Sequence, residues 1–365
     1  MINIETLNKS QLKNYINSTE FGRDKFIPIS IHRAISHINN PRASEKDILL
    51  LLAYENSKLV GYLGVLPDYI FFNNKYQKIG WLSCIYIDAN QRGKKIAQKL
   101  VVKSLEVWDN NILLTEFTAP AKRLYDKIGE FLEIPSLKGI RLYMRSDLQS
   151  ILPPKHTLFA KTKPLLKLFD NFFNLIFDIR YLFYNKRIGE LKLEYIDKID
   201  PETEEFIKEK QTSELFKRSK SELNWLLSYP WVITKKDDKC LSEKYHFSSI
   251  DKSFEFISVK IKNMEGKLTA FIIFAKRNDN LKMPYCYYEN IEDVVSTINI
   301  HLVKWKIKTA SLYNDAISTT IKNSISPALF KKQISRNYLI SKKFKDKIIN
   351  SEPIIQDGDG DAAFT

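Results

Sequence analysis

The residues best able to do chemistry lie in one stretch, WLSCIYIDANQRGKKIAQKLV, residues 81–101. An apolar run ends at Asp88, a short basic loop follows, and a helical pattern opens at once. The first N–H groups of a helix lack intrahelical partners and sit at the positive end of its dipole. A strand that delivers the chain to such a point makes an anion site suited to a pyrophosphate. Gly93 lets the backbone approach closely, Ala97 keeps the first helical turn thin, and Arg92, Lys94 and Lys95 add positive charge. Taken alone, the loop reads equally as an ordinary strand–helix turn with solvated lysines.

The elements around it must hold that loop in place. Upstream, DILLLLAYE and LVGYLGVLP flank a turn at Asn56-Ser57-Lys58, and YIFF and KYQKIGWLSCIYID flank one at Asn73-Asn74. These read as antiparallel hairpins. Ala97, Leu100, Val101, Leu105 and Trp108 recur at helical spacing. NILLTEF is a strand. APAKRLYDKIG is a helix with Pro120 in its first turn and Gly129 as its stop, and FLEIPSLKGIRLYMRSD closes the unit as a strand. Residues 1–24 read as a polar helix or loop leading in.

Two segments resemble the GNAT (GCN5-related) N-acetyltransferases. Their signature at a strand-to-helix junction is Arg/Gln, two residues, Gly, one residue, Gly/Ala. Arg92 and Ala97 match its ends, and Gly93 matches a glycine that commonly follows the arginine; Lys95 stands where the family has its central glycine. That departure implies either a negative φ at Lys95 or strain. Downstream, Ala121, Leu124, Tyr125, Lys127 and Gly129 fall in register with the family's A-x-x-L-Y-x-K-x-G segment, and Thr118 sits where Asn is frequent. The resemblance covers about residues 27–148. It implies acetyl-CoA, or another acyl-CoA, as cosubstrate. Backbone of Ile85, Tyr86 and Ile87 would meet the pantetheine arm, and the amides of Arg92, Gly93, Lys94, Lys95, Ile96 and Ala97 the pyrophosphate. Thr118 would join the cofactor site, and Tyr125 would protonate the leaving thiolate. Transfer to an amine also needs a base. Glu116, late on its strand, is the first candidate, with Asp88 and His32 behind it; Cys84 reads as a core residue.

The 365 residues suffice for two domains. After residue 189 the order of hairpin, strand, helix, strand, helix, strand repeats without residue-level similarity. The expected fold class is α/β, a mixed α+β sheet: a GNAT domain at 1–150, an amphipathic connector helix at 151–188, and a degenerate GNAT-like domain at 189–365. At the junction equivalent to the basic loop the second half reads YYENIEDVV, acidic and without Gly or Arg, so no CoA is expected there. Trp225, Tyr229 and Trp231 suit either sugar stacking or core packing. In the connector, Lys167, Asp170, Asn171, Asn174 and Asp178 share one face against Leu, Ile and Phe. Burial between lobes, the membrane interface through residues 164–184, and dimerisation all remain open for it. The tail QDGDGDAAFT reads as polar.

The formal net charge of +14 is diffuse and selects no specific nucleic acid. Cys84, Cys240 and Cys286 have no metal spacing, and no metal is expected. No apolar leader or spanning run is evident, so a cytoplasmic place is expected, peripheral to the inner membrane face if the connector engages lipid. The reading is an acyl-CoA-dependent N-acyltransferase that acts on an amine of a small molecule or envelope sugar by direct attack. The alternatives are a tRNA-dependent aminoacyl-transferase of the peptidoglycan-bridge type and a non-catalytic binding protein. The acceptor and the oligomeric state are not legible.

Overall fold

The computed structural model describes residues 1–184, 191–234, 243–348 and 354–364. Cys240, Lys186 and Arg187 lie outside the described residues. In chain order the first half contains β1 (Ile2–Asn8), α1 (Lys9–Ile16), α2 (Ile31–Ile38), β2 (Ile48–Glu55), β3 (Lys58–Phe72), β4 (Lys75–Ile87), α3 (Ile96–Val107), β5 (Ile112–Thr115), α4 (Ala119–Ile128) and β6 (Phe131–Tyr143). The second adds β7 (Lys192–Ile196), β8 (Ile233–Thr234), β9 (Ile250–Asp251), β10 (Phe254–Lys262), β11 (Leu268–Arg277), β12 (Asn280–Tyr288), β13 (Thr309–Leu312) and β14 (Phe330–Ser341). The fold class is the expected mixed α/β arrangement.

Two compact units emerge, and neither is one continuous segment: residues 1–136, 198–254 and 336–365 form the first, and 137–197 and 255–335 the second. In the first unit the strand order is β1-β2-β3-β4-β5-β14. All neighbours are antiparallel except β4 and β5. Strand β14, from the end of the chain, pairs Tyr338 with Thr115. The helix after β5 would by sequence lead to the unit's last strand, yet β6 pairs Ile140 with Leu312 in the second unit. The closing strands are thus exchanged between the two halves of the sequence. The second unit is ordered β6-β13-β12-β11-β10-β7, and β12 and β13 pair in parallel.

The N-terminus corrects its reading. Ile2 to Asn8 form an edge strand paired antiparallel to β2, because Ile2 and Ile4 alternate and pack beneath the first unit's core. That core holds Leu51, Leu63, Val65 and Leu82 of the sheet against Leu100, Val101 and Leu105 of α3 and Tyr125 of α4. Helix α4 begins at Thr118, whose hydroxyl accepts from the Ala121 N–H, and stops at Gly129 with φ 77°.

The tail also departs from its reading. Gly360–Phe364 is a buried turn that touches β3, β4 and β5. Its aspartates are not solvated: Asp357 pairs with Arg336, and Asp359 with Arg218, which also holds Asp68. Phe364 stacks on Trp231 with ring centroids 4.3 Å apart and meets the edge of Trp225 at 5.3 Å. These tryptophans therefore pack the core. At Gly360, φ is 77° and an added Cβ would lie 2.9 Å from the Trp81 ring; only glycine fits.

Candidate active site

Strand β4 pairs with β5 only at Gly80 and Trp81, then runs on to Ile87. Beyond Trp81 the two parallel strands are unpaired, so the sheet opens there while β4 keeps β3 on its other edge. A register shift against β3 marks the opening, with Cys84 at φ 59°. A bulge of this kind re-aims the strand. Asp88 N–H donates to the Val60 carbonyl at 2.9 Å. By antiparallel alternation the amide of Tyr86 faces β3 and that of Ile87 faces the opening. The loop then turns: Asp88 accepts from the Asn90 N–H, Gly93 has φ 87°, and Lys95 stands at the start of α3 with φ 60°, ψ 20° and no side-chain hydrogen bond to the helix. Of the two conformations left open for Lys95, the strained left-handed one is realised, at a cost of about 1 kcal/mol.

Among the described residues the N–H groups of Gly93, Lys94, Lys95, Ile96 and Ala97 have no acceptor, and the first i to i−4 bond runs from Lys99 to Lys95. Nothing lies within 4 Å of a Cβ built on Gly93, so the amides are open to approach. The Arg92, Lys94 and Lys95 side chains are exposed. Lys94 reaches back to Glu55 at the end of β2, 3.0 Å away, and ties the loop to the sheet. The loop has the open amides, the helix dipole and the positive charge that an anion site needs.

Leu82 and Tyr125 belong to the face covered by α3 and α4. The Tyr125 ring stands edge-on to Phe117 and Phe131, and burial pushes its hydroxyl well above the usual phenol range, so it stays protonated. Ser83, next along β4, donates to Asp361 of the tail at 2.5 Å and accepts from Arg33 at 2.7 Å. The other Asp361 oxygen is buried with no hydrogen-bond partner among the described residues. Burial pushes Asp361 up to about 6, against the opposing Ser83 hydrogen bond, and Asp361 is close enough to Tyr125 for the two to interact electrostatically. Arg33, under the Trp231 ring at 3.9 Å, also bonds the Cys84 sulfur and the Tyr245 hydroxyl.

The base candidates of the sequence are occupied. Glu116 has φ 51° and its carboxylate is paired with Arg336 at 2.7 Å. Asp88 caps the turn. His32 contacts the Trp231 carbonyl at 2.7 Å, and burial lowers its basicity. Thr118 is committed to capping α4. Asp361, a further carboxylate at β4, comes from 278 positions beyond Ser83, a separation that leaves no local signal. The alternation Asp357, Asp359, Asp361 before Ala-Ala-Phe was the only sign of it in the sequence. A cavity of about 710 Å³ opens at the other end of the β3–β4 hairpin beside Tyr69, Phe71, Tyr76 and Lys217. At strand rise, Tyr76 is roughly 35 Å along β4 from Ile87, so this cavity is separate from the loop.

Comparison with known proteins bears on this geometry. Residues 18–129 match the model of the acetyltransferase (GNAT) family. A conserved protein of Enterococcus faecalis, described as a probable N-acyltransferase, is 10% identical, with 95% of this chain and 75% of that one covered and a TM-score of 0.52. A GCN5-related N-acetyltransferase from Anabaena variabilis is 13% identical over 93% of this chain and 72% of that one, with a TM-score of 0.49. The likeness to the Enterococcus faecalis protein is one of fold. No curated protein gives a match.

Proposed function

Because residues 18–129 match the acetyltransferase (GNAT) family, we propose that this N-acyltransferase uses acetyl-CoA, or a related acyl-CoA, and transfers the acyl group directly to an amine. The observation that carries the reading is the set of unpaired amides from Gly93 to Ala97, at the point where β4 parts from β5. In it the diphosphate rests on those amides, and Arg92 and Lys95 add charge. The pantetheine arm runs along Ile85 to Ile87 in the opening, with the Ile87 amide offered to it. Thr118 borders this arm.

The chemistry follows from the two faces of the sheet. Asp361 takes a proton from the acceptor ammonium, as a carboxylate titrating at about 6 does at neutral pH. The neutral amine attacks the thioester carbonyl; a C–N bond forms and the C–S bond breaks. The leaving sulfur takes the Tyr125 proton, and the proton shed by the new amide nitrogen restores the phenol through solvent. Glu116 serves in this scheme as an anchor for Arg336 rather than as the base. The acceptor is an amine of a small molecule or sugar.

Isothermal titration of acetyl-CoA tests the site. Wild type binds, and Arg92→Glu/Gly93→Asp loses at least about 100-fold in affinity, since two carboxylates then face the diphosphate. Equal affinities would remove the site. Absence of binding by wild type would remove acyl-CoA altogether and turn the question to a tRNA-borne donor.

A further inference from the structure

The helix Lys163–Tyr184, in the second unit, carries its polarity inside out. The polar face meets the protein. Asp170, 1% exposed, accepts from the Ser146 hydroxyl and from the Leu148 and Gln149 amides. Asn174 bonds both the N–H and the carbonyl of Ser146, Asp178 pairs with Arg145, and the Tyr181 hydroxyl donates to the Met144 carbonyl. The apolar face meets solvent. Leu165, Leu168, Phe169, Phe172, Phe173, Leu175, Ile176 and Ile179 are all more than two-fifths exposed, with Leu168 at 66% and Phe172 at 60%. Leu158 and Phe159, just before the helix, extend the patch.

An apolar stripe this long is costly in water unless something covers it. Its charges decide what. Lys155, Lys161, Lys163 and Lys167 are exposed along and beside it, while the acids of the helix are turned inward: Asp170 is buried and Asp178 is held by Arg145. Among the described residues the helix thus presents Leu, Ile and Phe to solvent, with exposed lysines at its start, Lys163 and Lys167 on the flank they share with Asp170, and its one part-exposed carboxylate, Asp178, is paired with Arg145. A second copy of this helix packed parallel would set lysine against lysine. Anionic lipid headgroups complement the lysines, and the acyl boundary accepts the side chains between them. Among the described residues no helix is long and apolar enough to cross a membrane. We infer that this helix lies in the plane of an anionic membrane surface, anchored to the protein by its polar face.

Vesicle co-sedimentation of the full chain tests this. The protein is expected to sediment with vesicles of phosphatidylcholine and phosphatidylglycerol, and poorly with phosphatidylcholine alone. Lys161→Gln/Lys163→Gln/Lys167→Gln should weaken binding about fivefold per lysine, from roughly 1 kcal/mol for each near-surface cation. Leu168→Gln/Phe172→Gln/Ile176→Gln should abolish it. These side chains face solvent, so circular dichroism and acetyl-CoA affinity should match wild type. Absence of binding to anionic vesicles overturns the inference. So does binding that is equal on both vesicle types and indifferent to the lysines. A dimer in solution that the apolar triple variant dissolves would assign the face to a second copy and overturn it as well.

Discussion

Asp361→Asn should make the protein more stable and nearly inactive. The carboxyl is buried, and burial carries it from its ordinary 3.8 to about 6. Keeping it ionised at neutral pH then costs the folded state about 3 kcal/mol, at about 1.4 kcal/mol per pH unit. An asparagine of the same shape can still accept from Ser83, but it leaves an unpaired amide group where the free carboxylate oxygen was. That returns about 1 kcal/mol. The net expectation is a gain of about 2 kcal/mol, read as a rise in Tm at pH 7.5 of several degrees, at about 2–4 °C per kcal/mol for a unit of this size. Thiol release from acetyl-CoA across a panel of amines reads the other half. With the best amine, kcat/KM should fall by about 100-fold or more, the usual worth of a general base. Wild type should also gain a limb that rises with pH and levels off above about 6, beyond any slope due to the amine itself; the variant should lack it. Activity within threefold of wild type, with that limb intact, would refute Asp361 as the base. A loss of both activity and stability would point to a purely structural carboxylate.

Gly360→Ala should act in the opposite sense on stability. The new Cβ meets the Trp81 ring at 2.9 Å in a left-handed conformation, so the tail must shift; a cost of about 1–3 kcal/mol is expected, with limited proteolysis cutting nearer the C-terminus than in wild type. Tyr125→Phe should lower kcat by about tenfold or more while acetyl-CoA affinity by titration stays the same, since only the proton donor is lost. Stability should fall as pH rises from about 7.5 to 9. Burial raises Glu214 to about 8, and in that window the histidines that burial depresses, His32, His37, His246 and His301, are neutral in both states, so the folded state holds the extra proton; a lower Tm at pH 9 than at pH 7.5, with the difference reduced in Glu214→Gln, is the check.

The features legible in the sequence were those built by neighbours along the chain. The basic loop, α3 and α4 announce themselves through the spacing of Ala97, Leu100 and Leu105, and through the Pro120 start and Gly129 stop, because helix signals are local. The second half was legible as a repeat of element order for the same reason. What escaped depends on partners far away. Nothing in FLEIPSLKGIRLY says that its later residues pair with Thr309 to Leu312 rather than with the strand before α4. Three aspartates and two glycines at the end of a chain read as solvated, since Arg218 and Arg336, which neutralise two of them, come from other segments. The spacing of Asp170, Asn174 and Asp178 shows a two-faced helix, but which face meets water is set by Ser146, Arg145 and Met144, and these carry no periodic signal.

The second unit isolates what makes the first one chemical. Its β12 pairs with β13 only from Asn280 to Lys282 and then runs on to Tyr288, the same parting of parallel strands, and a helix, Ile291–Lys304, follows at once. Yet the helix start is closed. The Asn290 side chain accepts from the Glu292 N–H at 2.9 Å, and Glu292 and Asp293 occupy the first turn. An incoming phosphate would meet a satisfied amide and two carboxylates, the reverse of the open amides and lysines after Asp88. The same strand geometry therefore serves with and without an anion site. The difference rests on the few residues between strand and helix: a glycine with an open face and a left-handed lysine that makes no side-chain cap in one unit, a capping asparagine followed by acids in the other. The strain at Lys95 belongs to this contrast, because a residue that bends the backbone without capping it leaves the first amides of α3 for a ligand.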